Sequence, residues 1–126
     1  MRTNDVAAWL EPQILDGEVA RCSIVDLELL FSARSHRDFL AIRNDRVAGF
    51  PLVETRQEDF ERATSVMEML ARAGKHRAAS IPDLLIAAVA ERAGLILVHY
   101  DADFDIIAEV TRQSMRWVVP KGQLAS

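Results

Sequence analysis

The chemistry available to this chain lies in its carboxylates. Asp101, Asp103 and Asp105 fall within five consecutive residues, DADFD. Like charges this close repel, and a divalent cation offsets the repulsion. Hard Mg²⁺ or Mn²⁺ takes oxygen ligands, usually one or two carboxylates completed by water and substrate phosphate. The plainer alternative is that these acids cap the helix that follows. The spacing is not that of a calcium EF-hand, which needs a longer loop with a glycine and a terminal glutamate. Asp83 follows Pro82 at the start of an apolar run. A negative charge in a first helical turn is worth about 0.3–1 kcal/mol as structure alone; at the edge of a core it also marks a candidate site. Glu28 lies in SIVDLELLF, where a helical wheel sets it between Phe31 and Val25, on the face of Ile24. A buried, unpaired carboxylate is costly, so Glu28 is either bridged to an arginine such as Arg34 or is a metal ligand or general base. Asp26, on the opposite side of the same helix, has similar credentials.

Other reactive residue types form no pattern. His36 and His76 sit among charges, and His99 stands beside the acidic cluster, where a lone packed histidine is the simpler reading. The run Lys75-His76-Arg77 offers cations just ahead of Asp83, either as phosphate contacts or as a solvated loop. There is no G-x-S-x-G, P-loop or C-x-x-C, which argues against a triad hydrolase, an NTPase and a zinc module.

These acids are positioned by the stretch Ser80–Asp105, SIPDLLIAAVAERAGLILVHYDADFD. It predicts a helix apolar nearly all round, a turn at Gly94, a short buried strand and an acidic turn. Upstream, the spacing predicts a helix over Val6–Ile14, shortened or kinked at Pro12, a strand over Val19–Cys22, and a helix from Ile24 to Ala33 capped by Ser23. A charged helix over His36–Val47 and a strand over Pro51–Glu54 follow. The longest helix is expected over Gln57–Ala73, with Phe60, Ala63, Val66, Met67 and Leu70 as its buried stripe. After Asp105 come a short helix with Ile106, Ile107 and Val110, a strand over Met115–Val119 and a loose tail, 120–126. Short strands separated by helices predict an α/β fold with a mostly parallel sheet. Ligands of such folds gather at the carboxyl ends of strands.

Composition sets the outer bounds. At 126 residues, half of them hydrophobic, the chain is expected to form one domain with its own core. The net charge of −4 gives no global sign of nucleic acid or an anionic membrane. Lysine occurs only at Lys75 and Lys121, so the basic residues are mainly arginine, which suits bidentate contacts. A single cysteine, Cys22, and no visible signal peptide or membrane span point to the cytoplasm.

Taken in order, Ser23-x-x-x-x-Glu28 continuing LLFSAR, the helix IPDLLIAAVAERAG and the strand-turn LILVHYDADFDIIA resemble PIN domains, in particular the VapC toxins of VapBC toxin–antitoxin pairs. The resemblance covers most of the chain. It implies an α/β/α sandwich with a mostly parallel central sheet, in which carboxylates hold Mg²⁺ or Mn²⁺ and cleave RNA. By motif, Glu28, Asp83 and Asp101 are the catalytic acids and metal ligands, and Asp103 is an auxiliary ligand. Lys75, His76 and Arg77 become candidates for RNA contacts. The implied protein is a homodimer silenced by a VapB-type antitoxin whose C-terminal segment covers the acidic pocket, often with an arginine. The helix from Ile24 and the charged segment after it are candidate surfaces. The family's first acid lies on an N-terminal strand that this sequence does not show, so the expectation is an N-terminally incomplete PIN-like domain spanning 1–126. The competing expectation is a catalytically inactive PIN-like binding module.

Overall fold

The computed structural model describes residues 13–15, 19–49, 51–99 and 102–117. In chain order the elements are β1 (Gln13–Leu15), β2 (Val19–Ala20), α1 (Ser23–Phe31), α2 (His36–Gly49), α3 (Gln57–Arg72), α4 (Ile81–Ala93), β3 (Ile96–His99), α5 (Ala102–Thr111) and β4 (Met115–Trp117). The strand order is β2-β1-β3-β4.

The molecule is built around α4. Leu84, Ile86, Ala87, Ala88, Val89 and Ala90 are all buried, and α1, α3, α5 and β3 pack against the helix. Each of the larger side chains contributes roughly 1.5–3 kcal/mol by leaving water. Both ends of α4 have defined stops. Ser80 accepts a hydrogen bond from the Asp83 N–H through its side chain (3.2 Å), satisfying one donor of the first turn. At the other end Gly94 takes φ 70°, and Leu95 N–H reaches back to the Ala90 carbonyl (2.9 Å), a Schellman closure that suits glycine. Helix α3 ends the same way, with Gly74 at φ 73° and Lys75 N–H on the Leu70 carbonyl (2.7 Å).

Several expectations change. Residues 1–12 lie outside the described residues, and Gln13 and Ile14, expected in a helix, belong to β1, as suits the chain just past Pro12, which cannot support a continuous helix. The sheet is mixed. β3 and β4 are parallel, with Leu97 opposite Met115, and Arg21 bridges Leu52 in parallel. β1, however, is antiparallel to β2 and β3. Only residues 16–18 separate β1 from β2, too few for the crossover that a parallel pair needs. Pro51–Glu54 contributes only that bridge, held by Arg21 N–H to the Pro51 carbonyl (2.9 Å) and Val53 N–H to the Arg21 carbonyl (2.8 Å).

On α3, Ala63, Val66 and Leu70 are buried as the stripe predicts, but Phe60 is 47% exposed and Asp59 is only 1% exposed. Asp59 is buried because it is fully used. One oxygen accepts the Arg56 N–H at the helix start (2.8 Å), and the other pairs with Arg92 Nε at the end of α4 (2.8 Å). Arg92 also donates to the Glu54 carbonyl (2.6 Å). Beside it, Arg62 grips Glu91 through two bonds (2.7 and 3.1 Å). The Asp59–Arg92 pair thus ties the start of α3, the end of α4 and the segment before α3. Removing one partner of such a pair leaves a buried charge uncompensated. Arg92→Ala is expected to lower stability by about 3–5 kcal/mol, read from urea unfolding; a loss below about 1 kcal/mol, the level of an exposed pair, would show that the pair is not a clamp.

Candidate active site

Asp83 is the third residue of α4 and only 6% exposed. An apolar helix that is buried all round has its first turn at the edge of the core, and the positive end of the helix dipole favours a carboxylate there. The start of α5 meets this point. Asp103 Oδ2 accepts the backbone N–H of Ser80 (3.1 Å), the residue that caps α4. Two of the expected acids, Asp83 and Asp103, are therefore brought to the start of the same helix, one directly and one across the α4–α5 junction. Asp105 lies in the first turn of α5 with Asp103. Asp101 lies outside the described residues, as does the side chain of His99. Among the described residues, no group of three or more metal-binding side chains is assembled.

Glu28 is on α1, which packs against α4, but its side chain is exposed, contrary to the burial read from periodicity. The cause is that α1 buries one residue fully, Val25. Leu27 and Phe31 are 66% and 93% exposed. A helix apolar on most positions does not announce which of its faces is inward. The acid that is withdrawn on α1 is Asp26. It accepts from Arg21 Nη1 (2.5 Å) and Arg46 Nε (2.9 Å), each side chain being about 15% exposed. Both of its oxygens are engaged by guanidinium groups, which makes Asp26 a tie between α1, α2 and the strand segment. Periodicity left Asp26 and Glu28 equal; their surroundings separate them.

Lys75, His76 and Arg77 are all exposed in the turn between α3 and α4. They stand three to five residues ahead of Ser80. An open groove of about 430 Å³ between α1 and α2 is lined by Leu30, Ala33, Arg34, Ser35, His36 and Phe39. Cys22 sits at the start of α1, wholly buried, and burial pushes its thiol up from the ordinary value, against the opposing pull of the Val25 and Ile24 backbone.

The family model for PIN domains matches residues 2–110. The chain belongs to the PIN-domain family. Its curated relatives place it on the VapC branch. It is 45% identical over 113 residues to "Ribonuclease VapC21" of Mycobacterium tuberculosis, covering 90% of this chain and 82% of the relative. It is 43% identical over 115 residues to "Ribonuclease VapC51" of the same organism, covering 91% and 82%. Among solved structures, the DNA-bound VapBC complex of Salmonella typhimurium aligns with TM-score 0.65 at 19% identity, covering 78% of this chain and 74% of that one. The architecture is thus the PIN-like α/β/α sandwich, with the mixed strand directions described above.

Two consequences of this geometry are measurable. Asp26→Asn, which disturbs a withdrawn ion pair, is expected to lower stability more than Glu28→Gln at an exposed position, read from urea unfolding. A larger loss from Glu28→Gln than from Asp26→Asn would overturn that ranking. Cys22 is expected to resist iodoacetamide at pH 8 in the native protein and to react once unfolded, because a buried, protonated thiol is a poor nucleophile. Rapid native labelling would contradict its burial.

Proposed function

We propose that this VapC-type PIN domain is a divalent-metal-dependent endoribonuclease, cutting RNA phosphodiester bonds, and that it acts as a toxin neutralised by a VapB-type antitoxin. The observation that carries the reading is Asp83: a carboxylate withdrawn from water at the start of the central helix, with Asp103 beside it, in a chain whose curated relatives bear the name ribonuclease. The donor chemistry suits Mg²⁺ or Mn²⁺, which prefer carboxylate oxygens. Glu28, Asp83 and Asp101 are assigned as the residues that hold the ion. The bound ion supplies an activated water, orientation of the scissile phosphate and stabilisation of developing charge.

The chain's own residues do the rest. Asp83 keeps its place through the Ser80 cap and the buried body of α4. Lys75, His76 and Arg77, exposed in the turn that leads into Ser80, are assigned to the RNA backbone, where cations fix register without reading sequence. A chain of net charge −4 meets RNA through this local patch rather than through its overall field. The apolar side chains left outward on α1, Leu27 and Phe31, and the α1–α2 groove support assigning this face to protein partners. These are the antitoxin and a second copy of the chain. Among the described residues, no helix is long and apolar enough to cross a membrane, and the proposed place of action is the cytoplasm.

A second reading has one observation in its favour. The described residues assemble no three-carboxylate group and leave Glu28 exposed, as a non-catalytic PIN-like binding module would. RNA cleavage by the purified chain, freed of any partner, separates the two. Cutting in Mg²⁺ is expected, with loss in excess chelator. Asp83→Asn is expected to lower cleavage by at least about 100-fold, the scale of a lost metal ligand or its support, with circular dichroism unchanged. Metal-independent cleavage, or full activity in Asp83→Asn, removes Asp83 from the site. No cleavage under any condition favours the binding module.

A further inference from the structure

Three helices of this protein carry aspartate at the third position, and the structure uses them differently; in α2, Asp38 accepts the Arg34 N–H (3.0 Å) while its own N–H donates to the Ser35 hydroxyl (3.0 Å). In α3, Asp59 turns back to accept the N–H of its own helix's capping residue, Arg56 (2.8 Å). This is the return half of a capping box, in which the side chain at the third position satisfies the cap residue's N–H. In α4 the equivalent donor is the Ser80 N–H, and the equivalent carboxylate is Asp83. That N–H goes instead to Asp103, which reaches across from α5 (3.1 Å), while the Ser80 hydroxyl accepts the Asp83 N–H (3.2 Å). The return half of the α4 cap is therefore supplied from α5.

We infer that Asp103 is a positioning residue: it takes over the return half of the α4 cap and, through Ser80, sets the placement of Asp83, rather than serving as a metal ligand in its own right. This rests on the proposed metal site and changes one member of the ligand set that the sequence resemblance implies. The chemistry distinguishes the two roles. Accepting a backbone N–H needs an oxygen but not a negative charge, so an amide can replace the carboxylate. Holding a hard divalent cation depends on the charge, and an amide oxygen is a weaker ligand. The same junction anchors α5 to α4 just after the acidic turn, so Asp103 also fixes the spacing between the two helix starts.

The test compares Asp103→Asn with Asp103→Ala, measuring Mn²⁺ affinity by titration calorimetry and RNA cleavage under saturating Mn²⁺. Asp103→Asn is expected to bind Mn²⁺ within about threefold of the unaltered chain, and Asp103→Ala about 10- to 100-fold more weakly, the range found when support for a metal ligand is lost. Equal weakening in both variants means that the charge matters and Asp103 is a ligand, which overturns the inference. Unchanged affinity in Asp103→Ala overturns it as well. The asparagine variant decides alone should the alanine variant fail to fold, because weak binding in a folded Asp103→Asn contradicts the positioning role. Asp83→Asn runs alongside. If it binds Mn²⁺ as tightly as the unaltered chain, the metal-site reading itself has failed, an outcome distinct from either result at Asp103.

Discussion

The constraint on which the rest depends is that α4 has almost no side to give to water. A helix with leucine, isoleucine, valine and alanine on most of its faces has to be enclosed, and α1, α3, α5 and β3 enclose it. Polar chemistry is then possible only at its two ends, and each end is used. The carboxyl end carries Glu91 and Arg92, paired with Arg62 and Asp59; the amino end carries Asp83 and the Ser80 cap. The first pair holds α3 in place. The second end is where a carboxylate sits both withdrawn from water and at the positive pole of the helix dipole. The burial of α4 brings Asp83 to this point, and the contact of Asp103 with the Ser80 N–H adds a second tie from α5.

This explains which parts of the protein were legible in the sequence. The bounds of α4, its glycine stop and the strand after it follow from apolar run length and turn chemistry, both local signals. The end of α3 at Gly74 is local in the same way. The acids were legible as residue types and as a family pattern, but not as contacts. Nothing near Asp59 in the chain announces Arg92, 33 residues away, and Phe60 was the natural choice for the stripe because periodicity counts apolar side chains and cannot count a paired aspartate. Glu28 and Asp26 could not be ranked, because the deciding fact is the presence of Arg21 and Arg46 around one of them. β1 is hidden for a related reason: three residues beside a proline carry no strand pattern of their own, so the spacing there predicts the end of a helix and the antiparallel pairing has no local sign.

Asp59 and Asp83 show how one helical position meets different surroundings in two helices. Asp59 is saturated by a backbone N–H and a guanidinium, and it is buried for that reason. Asp83 begins from the same helical position, but the Ser80 N–H, the counterpart of the donor that Asp59 accepts, goes to Asp103. The difference lies in a neighbouring helix rather than in either helix itself. It arises only once α5 has docked, so the cap of α4 and the placement of the candidate site are formed together by tertiary packing.

Glu28 stands in contrast to Asp83. Its helix, α1, buries only Val25 fully, and its capping residue Cys22 makes no side-chain cap. The rotation of α1 is set by Asp26 between Arg21 and Arg46 together with Val25, Ile24 and Leu29 against the core. On the proposed function, one acid of the site is therefore set by a deeply packed helix and another by a helix held through ion pairs, with its exposed Leu27 and Phe31 turned toward solvent. A partner that covers those two side chains would add apolar burial to α1 on its outward face. Occupation of that face bears on α1 as a whole, which otherwise packs on the core through Val25 with the partly buried Ile24 and Leu29.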